Sequence, residues 1–285
     1  MPAAQPPALV YRPMTAADVP AAHALSLELK WPHRLEDWAM LQRVAEGLVV
    51  EDDGRLVGTA FACVQGDYAT IGLVIVSDAY QGRGIGRKLM ELTLQACGSA
   101  TAMLNATLAG TPLYISLGFV EFGRVHQHQG TVAPLPCPPL PAGTTCRQAD
   151  DRDWAELLSL ANAASGLDRT RVLDDLHDVL ECTLLLERDG QPCAFAMQRP
   201  FGRGRVIGPV VAQNREQAQY LISTLLAQLA GQFVRLDIPA DCGLGDWLGN
   251  QGLAQVDSVA QMAQGDAPQS SGGVEQFALV TQAIG

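Results

Sequence analysis

Lysine, aromatic residues and long apolar runs are scarce in this chain of 285 residues. Lys30 and Lys88 are its only lysines, aromatic residues make up 6%, and the net charge at pH 7 is −11. No run of basic residues offers the positive face that binding to a phosphate backbone requires, so we expect no nucleic-acid partner. No apolar stretch approaches the roughly 18 residues that span a bilayer, so we expect no membrane segment.

Closely spaced cysteines are also missing. The seven cysteines are scattered and odd in number. This pattern predicts reduced, structural thiols and neither disulfides nor a metal site. The first nine residues have neither the basic start nor the apolar core of a secretory signal. We therefore expect a cytoplasmic protein.

A proline-rich segment divides the chain into two similar parts. Residues 132–143 are uncharged and rich in proline, which is typical of a stiff linker. On either side of this segment the sequence repeats itself. The matched residues are Arg12 with Arg147, Asp18 with Asp153, Glu51 with Glu187, Gly54 with Gly190, and Ile71-Gly72 with Ile207-Gly208. The repeat predicts two related domains, residues 1–131 and 144–285.

Each half has the same predicted order of elements: a strand, one or two helices, a three-strand meander, a long helix, a strand, a short helix and closing strands. In the first half the alternation of apolar residues and the turn signals predict strands over about 8–12, 47–51, 55–65 and 68–76. Helical spacing and capping residues then predict a helix over 85–98, a strand over 102–106, a helix from Thr111 and a strand over 119–128. The order indicates an α/β fold with a mainly antiparallel sheet.

Three alternate glycines, Gly82, Gly84 and Gly86, lie between a predicted strand and a predicted helix. Glycines let backbone N–H groups approach an anion, and the helix start adds the positive end of its dipole. Arg83 and Arg87 add positive charge. The pattern predicts a pyrophosphate site, and the alternative is that the glycines only make the turn. It is neither a Walker loop nor a dinucleotide fingerprint.

The glycine loop resembles a motif of the GNAT superfamily of N-acetyltransferases, Gln/Arg-x-x-Gly-x-Gly/Ala. In this chain it reads Gln81-x-x-Gly84-x-Gly86. Downstream, Asn105-Ala-Thr-x-x-Gly110-x-Pro-Leu-Tyr114-x-x-x-Gly118-Phe119 is similar to that family's second motif and lies at the expected distance. The resemblance covers the first half closely and the second half only through the repeat.

The resemblance implies two tandem GNAT-like domains, each with a mixed, mainly antiparallel sheet that is splayed at the cofactor site and flanked by helices. It also implies acetyl-CoA as the acyl donor. Residues 74–76 would pair with the pantetheine arm, residues 81–87 would hold the pyrophosphate, and Asn105 would bond the arm from the neighbouring strand. The implied cofactor-binding residues are Val74, Ile75, Val76, Gln81, Gly82, Arg83, Gly84, Ile85, Gly86, Arg87 and Asn105.

Tyr114 has the most specific chemical role that the resemblance implies. When an amine attacks a thioester, the departing thiolate is best protonated by a weak acid whose pKa is near that of a thiol, as the pKa of a tyrosine is. Tyr114 resembles the general acid of the family. The alternative is that Tyr114 is a packed core aromatic.

A general base is missing where many relatives place a glutamate, because residues 69–74 contain no acid or base. His33 follows the first helix, has a suitable intrinsic pKa, and is our leading candidate. A base that acts through water is the alternative to a side chain. Trp31 and Trp38 are candidates for walls of an acceptor pocket. Weaker candidates for the base are Glu28, Asp67 and His126.

The second half keeps the scaffold and lacks both motifs. At an offset of 136 residues the glycines are replaced by Ala218, Tyr220 and Ile222, whose bulky side chains would fill the anion site. Near the end Gly252 aligns with Gly118, which puts Leu248 opposite Tyr114. We interpret residues 144–285 as a degenerate domain without a CoA site, with a last strand near 277–281. This domain either shapes the acceptor cleft or only stabilises the first domain.

The leading hypothesis is an N-acetyltransferase that moves an acetyl group from acetyl-CoA to an amine of a small molecule, by direct transfer in a ternary complex. The alternative is a non-catalytic acyl-CoA-binding or sensor protein. Tyr114 favours the enzyme, and the missing glutamate favours the alternative. No transferable motif identifies the acceptor, and the sequence leaves the acceptor and the oligomeric state open.

Overall fold

A computed structural model describes residues 9–134, 136 and 138–285 and shows two halves built to one plan. The first half consists of β1 (Val10–Pro13), α1 (Val19–Glu28), α2 (Leu35–Val44), β2 (Glu46–Asp52), β3 (Arg55–Gln65), β4 (Tyr68–Val76), α3 (Ile85–Ala96), β5 (Thr101–Ala106), α4 (Thr111–Ser116) and β6 (Val120–Thr131). The predicted element order is confirmed, and the bounds of β3 and β4 match the predicted ones. Residue 8, the predicted start of the first strand, lies outside the described residues.

The second half repeats this order and adds one strand. It consists of β7 (Thr145–Gln148), α5 (Trp154–Ser165), α6 (Thr170–Leu176), β8 (Cys182–Arg188), β9 (Gln191–Phe201), β10 (Gly204–Ala212), α7 (Arg215–Gln228), β11 (Phe233–Pro239), α8 (Gly245–Asn250), β12 (Ala254–Ala263) and β13 (Glu275–Ala278). The last strand lies within two residues of its predicted start.

The repeat is also visible as an ion-pair cluster that occurs once in each half. Each cluster joins an arginine of the first strand to an aspartate six residues later and to a glutamate on the second strand: Arg12 with Asp18 and Glu51, and Arg147 with Asp153 and Glu187. In the second half the arginine lies 2.7 Å from each carboxylate. Residues matched only by their spacing in the sequence therefore make the same contacts in both halves.

All thirteen strands of the described chain belong to one sheet, and the halves exchange their last strands in it. The order is β1-β2-β3-β4-β5-β12-β6-β11-β10-β9-β8-β7, with β13 paired to β10. Thus β12 lies between β5 and β6, and β6 pairs with β11 of the second half. All pairings are antiparallel except β4 with β5 and β10 with β11, which confirms the predicted mainly antiparallel sheet.

Both parallel pairs separate after a few residues. Tyr68–Ile71 of β4 pair with Thr101–Leu104 of β5, although β4 continues to Val76. In the second half, β10 and β11 share only two pairs, which involve Arg205 and Val206 of β10. Each half therefore contains a gap between two diverging strands, as the splayed sheet predicts.

The gap in the second half is filled by the chain itself. β13 pairs with β10, and the N–H of Leu279 donates to the carbonyl of Asp237 at 2.8 Å. A Cβ placed on Gly208 would lie only 2.0 Å from the carbonyl oxygen of Leu279. The segment after β13 thus lies directly against β10, and its end also reaches the first half, where a Cβ on Gly72 would lie 2.3 Å from the carbonyl oxygen of Ala283. Beyond Gly72 the gap in the first half opens into a cleft.

The largest hydrophobic core joins the two halves. It packs α1 and α2 against α5 and α6, and Trp38, Leu41, Leu157 and Leu173 lie fully buried within it. No disulfide joins any two of the six described cysteines, and Cys137 lies outside the described residues. None of the helices in residues 9–134 and 138–285 combines the length and the apolar character that spanning a bilayer requires.

Candidate active site

The gap between β4 and β5 opens into a cleft of about 730 Å³, which we call the donor cleft. Its walls are the second part of β4, the glycine loop with the first turn of α3, and the segment from β5 to α4. The predicted site residues that line it are Val74, Ile75, Val76, Gln81, Gly82, Gly84, Ile85, Gly86, Arg87, Asn105 and Tyr114. Residues far apart in the sequence are brought together because the diverging strands place them on facing walls.

The glycine loop has a conformation that only glycine adopts readily. Gly82 and Gly84 have φ angles of 76° and 78°, and Gly84 is the N-cap of α3. A Cβ on either residue would meet no atom within 4 Å, so the loop is open on the cleft side. The first N–H groups of α3 have no partner within the helix and point towards its N-terminal end. The end of the donor cleft therefore offers backbone donors and a positive dipole to an anion.

Arg83 does not line the donor cleft, contrary to the sequence prediction. Its guanidinium lies 4.9 Å from the centroid of the Tyr80 ring and donates to the carbonyl of Ala79 at 3.2 Å. Arg87, one helical turn further along, lines the cleft and donates to Ser116 Oγ at 2.7 Å. The side chain at position 83 packs locally because Tyr80 and Ala79, in the turn just before the loop, offer it a ring face and an acceptor.

Asn105 has a partner within the chain, which the sequence analysis did not foresee. Its Nδ2 donates to the carbonyl of Gln282 at 2.8 Å, 177 residues away. The Nε2 of Gln282 donates in turn to Asp237 at 3.0 Å. The side chain of Asn105 is therefore only partly free to bond a pantetheine arm. Its oxygen is the atom that makes no bond within the described chain.

Tyr114 is both a packed aromatic and a residue of the donor cleft. It is the fourth residue of α4, is 9% exposed, and packs edge-on against Phe119 with 6.0 Å between the ring centroids. Among the described residues its hydroxyl has no hydrogen-bond partner. Burial raises the pKa of Tyr114 to about 12, so the hydroxyl is protonated at neutral pH.

A smaller cavity of about 120 Å³, which we call the acceptor cavity, adjoins the donor cleft. The residues that line both are Trp31, Ile71, Gly72, Leu73, Asn105 and Thr107. The acceptor cavity is lined by both halves, because its other walls are Pro32, His33, Gln127, Arg235, Asp257, Thr281, Gln282 and Ala283. The second half thus contributes directly to the site.

His33 lies in the acceptor cavity rather than in the donor cleft. Its ring lies edge-on to Phe201, with 5.6 Å between centroids, and its Nδ1 is buried without a hydrogen-bond partner in the described structure. Burial, with the positive charge of Arg235 adding to it, lowers the pKa of His33 to about 4. The imidazole is therefore neutral at pH 7 and is a weak base.

None of the weaker candidates for a base lines either cavity. Glu28 and Asp67 are exposed, and His126 lies on β6 next to Gln127, whose side chain lines the acceptor cavity from the other face of the strand. Trp31 lines both cavities, as the sequence analysis proposed for a pocket wall. Trp38 is fully buried core, and its Nε1 donates to Ser26 Oγ at 3.1 Å.

Sequence reasoning missed a buried ion pair in the wall of the acceptor cavity. Arg235 and Asp237 lie on the same face of β11, 2.8 Å apart, and are 7% and 0% exposed. The sequence did contain a signal for this pair. The two opposite charges stand at alternate positions of an otherwise apolar strand, and alternate residues of a strand share a face.

Comparison with known proteins assigns the family. Two models, each described as an acetyltransferase (GNAT) domain, match residues 44–121 and 157–274. The chain is 30% identical over 224 residues to a Bacillus subtilis (strain 168) protein named "Uncharacterized N-acetyltransferase YitH", an alignment that covers 77% of this chain and 78% of that protein. The chain belongs to the GNAT acetyltransferase family. It is accordingly an acyltransferase with two tandem GNAT domains.

Other relatives match this GNAT protein in part or in fold. The mycothiol acetyltransferase of Frankia alni is 34% identical over 115 residues, which span 36% of this chain and 34% of that protein. A Pyrococcus horikoshii crystal structure has a TM-score of 0.80 at 21% identity and covers 97% of this chain and 96% of its own. A tandem GNAT protein from the clavulanic acid biosynthesis pathway has a TM-score of 0.63 at 16% identity, covering 91% of this chain and 100% of its own. At these identities the two structures show the fold alone.

The second GNAT domain lacks the glycine loop, but for a different reason from the one predicted. Only two residues separate β10 from α7, whereas eight separate β4 from α3. The expectation that bulky residues replace the glycines is wrong, because Ala218, Tyr220 and Ile222 lie inside α7. The two halves match at an offset of 136 residues only up to the end of β10. The connection from β10 to α7 is six residues shorter than the loop between β4 and α3, so the offset changes there.

The second domain also lacks the tyrosine. Leu248 is the fourth residue of α8, as Tyr114 is of α4, and it is fully buried. The second gap therefore has no counterpart of the glycine loop or of the candidate acid, and the segment after β13 fills it.

Proposed function

We propose that this protein is an N-acetyltransferase that transfers an acetyl group from acetyl-CoA to an amine of a small molecule, by direct transfer in a ternary complex. One observation carries the proposal: the donor cleft and the acceptor cavity share six lining residues at the splay of β4 and β5. A donor and an acceptor bound in these two spaces would meet there without a covalent enzyme intermediate.

The donor cleft fits acetyl-CoA in its hydrogen-bond donors. The open space beside Gly82 and Gly84 and the free N–H groups of α3 suit a pyrophosphate, with Arg87 adding positive charge. Beyond Ile71 the edge of β4 that faces β5 has no strand partner in the described structure, and Val74 and Ile75 line the cleft there, which suits an amide-bearing arm. The carbonyls of Leu73 and Val76 already accept hydrogen bonds from Thr59 and Gln81. Bound there, acetyl-CoA would supply the acetyl thioester.

We assign to Tyr114 the role of donating a proton to the departing thiolate. Its hydroxyl is protonated at neutral pH and makes no bond that would hold it elsewhere in the described structure. A proton delivered from this oxygen to the departing sulfur avoids a free thiolate in a partly closed cleft.

We assign to His33 the role of orienting the acceptor amine. Because its pKa is about 4, the neutral imidazole is suited to accept a hydrogen bond from the amine and less suited to remove a proton from an ammonium ion. The amine would then enter in its neutral form, with water taking up its proton beforehand. His33 remains the candidate base on this proposal, with orientation of the amine as its main contribution.

We further propose the division into a donor-binding domain of residues 1–131, a linker of residues 132–143 and a second domain of residues 144–285 without a CoA site. A small acceptor is supported by the cavity of about 120 Å³, which holds one end of a molecule at most a few atoms across. A cytoplasmic location belongs to the same proposal.

Two measurements on the purified protein test this function. Calorimetry should detect binding of acetyl-CoA, and a panel of primary amines should include acceptors that release free thiol from it. Thiol release should rise with pH as the amine loses its proton. Binding without release for every amine would favour the sensor alternative, and absence of binding would contradict both hypotheses.

A further inference from the structure

Arg235 in the acceptor cavity uses only part of its hydrogen-bonding capacity. Its Nε and Nη2 donate to the two carboxylate oxygens of Asp237 at 2.8 to 3.1 Å. Its Nη1 donates to no group in the described part of the chain. Since Arg235 lines the cavity and is 7% exposed, one edge of a nearly buried guanidinium faces this space.

The charges next to this edge do not balance. Arg199 is 1% exposed, its Nη2 and Nη1 donate to the carbonyls of Val280 and Pro200, and its Nε has no partner among the described residues. Arg199 and Arg235 lie 5.1 and 5.4 Å from the centroid of the Phe201 ring. Arg34 is paired with the buried Asp37, so three arginines face two buried carboxylates. Of these five groups only Arg235 lines the acceptor cavity, and the cluster behind that wall holds one more positive than negative charge.

The opposite charge occurs at the open side of the cavity. Asp257 lines the cavity and is exposed, whereas Arg235 lies at its buried wall. A molecule with a negative group at one end and an amine at the other would match this arrangement. A molecule with a second negative group would meet Asp257.

We propose that the acceptor is a small amine that carries one carboxylate, and that Arg235 of the second domain binds this carboxylate. The inference rests on the proposed function and names its substrate class. A carboxylate would accept a charge-assisted bond from Nη1 and place a negative charge next to the excess positive charge of the arginine cluster. Arg235 is thereby a specificity-determining residue, and the second domain selects the acceptor.

Matched ligands test the inference in two independent ways. The probes are small amino acids with one carboxylate, such as glycine, β-alanine and 4-aminobutyrate, each compared with its amide and with the amine that lacks the carboxylate. Calorimetry measures their binding to the CoA-saturated protein, and thiol release measures their acetylation by acetyl-CoA. We expect the carboxylate members to bind at least about ten-fold more tightly than their partners, and to show a similar preference in kcat/KM.

Two variants assign the preference to Arg235. Removing Arg235 alone would leave Asp237 buried and unpaired, so the test variant is Arg235→Gln with Asp237→Asn. This double variant should reduce the preference for carboxylates to less than about three-fold. Arg203→Gln is the matched control, because Arg203 is an exposed arginine of the same domain that lines neither cavity, and it should retain the preference.

The outcomes separate the inference from the proposed function. Binding that depends on the carboxylate without any thiol release upholds the carboxylate site at Arg235 and contradicts amine acetylation. Acetylation of amines with no preference for a carboxylate upholds the function and overturns the inference. A double variant that folds and keeps the preference also overturns it. If the double variant does not fold, the ligand pairs on the wild-type protein decide the question.

Discussion

Tyr114 shows how burial can prepare a side chain for chemistry. Its ring is packed against Phe119, and its hydroxyl is left without a partner among the described residues. Burial disfavours the phenolate, so the pKa rises to about 12 and the proton is retained over the whole range in which the enzyme would work. The same burial that packs the ring therefore keeps a proton available for the leaving group. A pKa of about 12 also lies further above that of a thiol than the ordinary tyrosine value, which makes the transfer less favourable.

We expect Tyr114→Phe to lower kcat by about 10²-fold, at the lower end for general acid catalysis, while the dissociation constant of acetyl-CoA stays nearly unchanged. The factor should be the same from pH 6 to pH 9.5, because Tyr114 ionises only near pH 12. Single-turnover kinetics and calorimetry measure the two quantities. Tyr68→Phe removes a hydroxyl outside the cleft and serves as the control. An unchanged chemical step would remove Tyr114 from the mechanism.

His33 gives a second prediction, about pH. Its pKa is near 4 in the folded protein against an ordinary value of 6.5, so the unfolded chain binds more protons between these values. The free energy of unfolding should therefore decrease as the pH falls from 6.5 to 4. His33→Gln should weaken this dependence in urea unfolding. The imidazole resonances should titrate near pH 4, and titration near 6.5 would contradict the prediction.

On the proposed function the glycine loop acts through its backbone, so we expect the element, and not any one side chain, to determine donor binding. The eight residues between β4 and α3 make room for an anion at the N-terminus of α3, and the two residues between β10 and α7 do not. Gly86, the last of the three glycines, is suitable for a substitution test because it lies in α3 with ordinary helical backbone geometry. A Cβ at Gly86 would lie 3.6 Å from Leu113 and 3.7 Å from Val76, which are normal contacts.

We expect Gly86→Val to fold and to lose acetyl-CoA binding by at least about 100-fold, because its methyl groups would extend into the donor cleft, where a phosphate would otherwise approach the backbone. Calorimetry measures the binding, and circular dichroism checks the fold. Gly249→Val is the matched control, since Gly249 lies in α8 with no atom within 4 Å of its Cβ position. Full binding in a folded Gly86→Val protein would place the donor elsewhere.

The exchange of last strands makes the whole chain one structural unit. β6 has both of its partners in the second half, and β5 has β12 as a neighbour. A first half on its own would expose an edge of β5 and leave β6 without partners in the sheet. Two domains that are similar in sequence are therefore interdependent in structure.

A split within the linker tests this interdependence. Residues 1–134 and residues 138–285, expressed separately, should be insoluble or unfolded, whereas the two fragments expressed together should form a soluble pair. Solubility, circular dichroism and co-purification measure the outcome. A separately expressed first fragment that is folded and binds acetyl-CoA would show that the exchanged strands are not required.

The filled gap of the second half predicts the stoichiometry. We expect one acetyl-CoA per chain, because the second half lacks the loop and its gap contains the segment that follows β13. Calorimetry with a protein of known active concentration measures this number. A stoichiometry of two would show that the second gap opens and would contradict a single donor site.

The order of helices and strands, the glycine loop and the duplication could be determined from the sequence alone. Each depends on neighbouring residues: the bounds of β3 and β4 follow from alternation and turn residues, and the start of α3 follows from Gly84 and the apolar spacing behind it. The resemblance to two family motifs made Tyr114 a candidate site residue, and the structure has it in the lining of the donor cleft together with the loop glycines.

Only the tertiary structure decided which distant groups meet. The pairing of Asn105 with Gln282, the position of Arg235 beside His33 and the exchange of β6 and β12 depend on contacts between residues more than a hundred positions apart. The short connection before α7 could not be recognised from the sequence. Aligning the halves at one constant offset assumes that both have the same number of residues between matched elements. Local patterns fix local geometry, whereas the acceptor site is formed where two halves of the chain pack together.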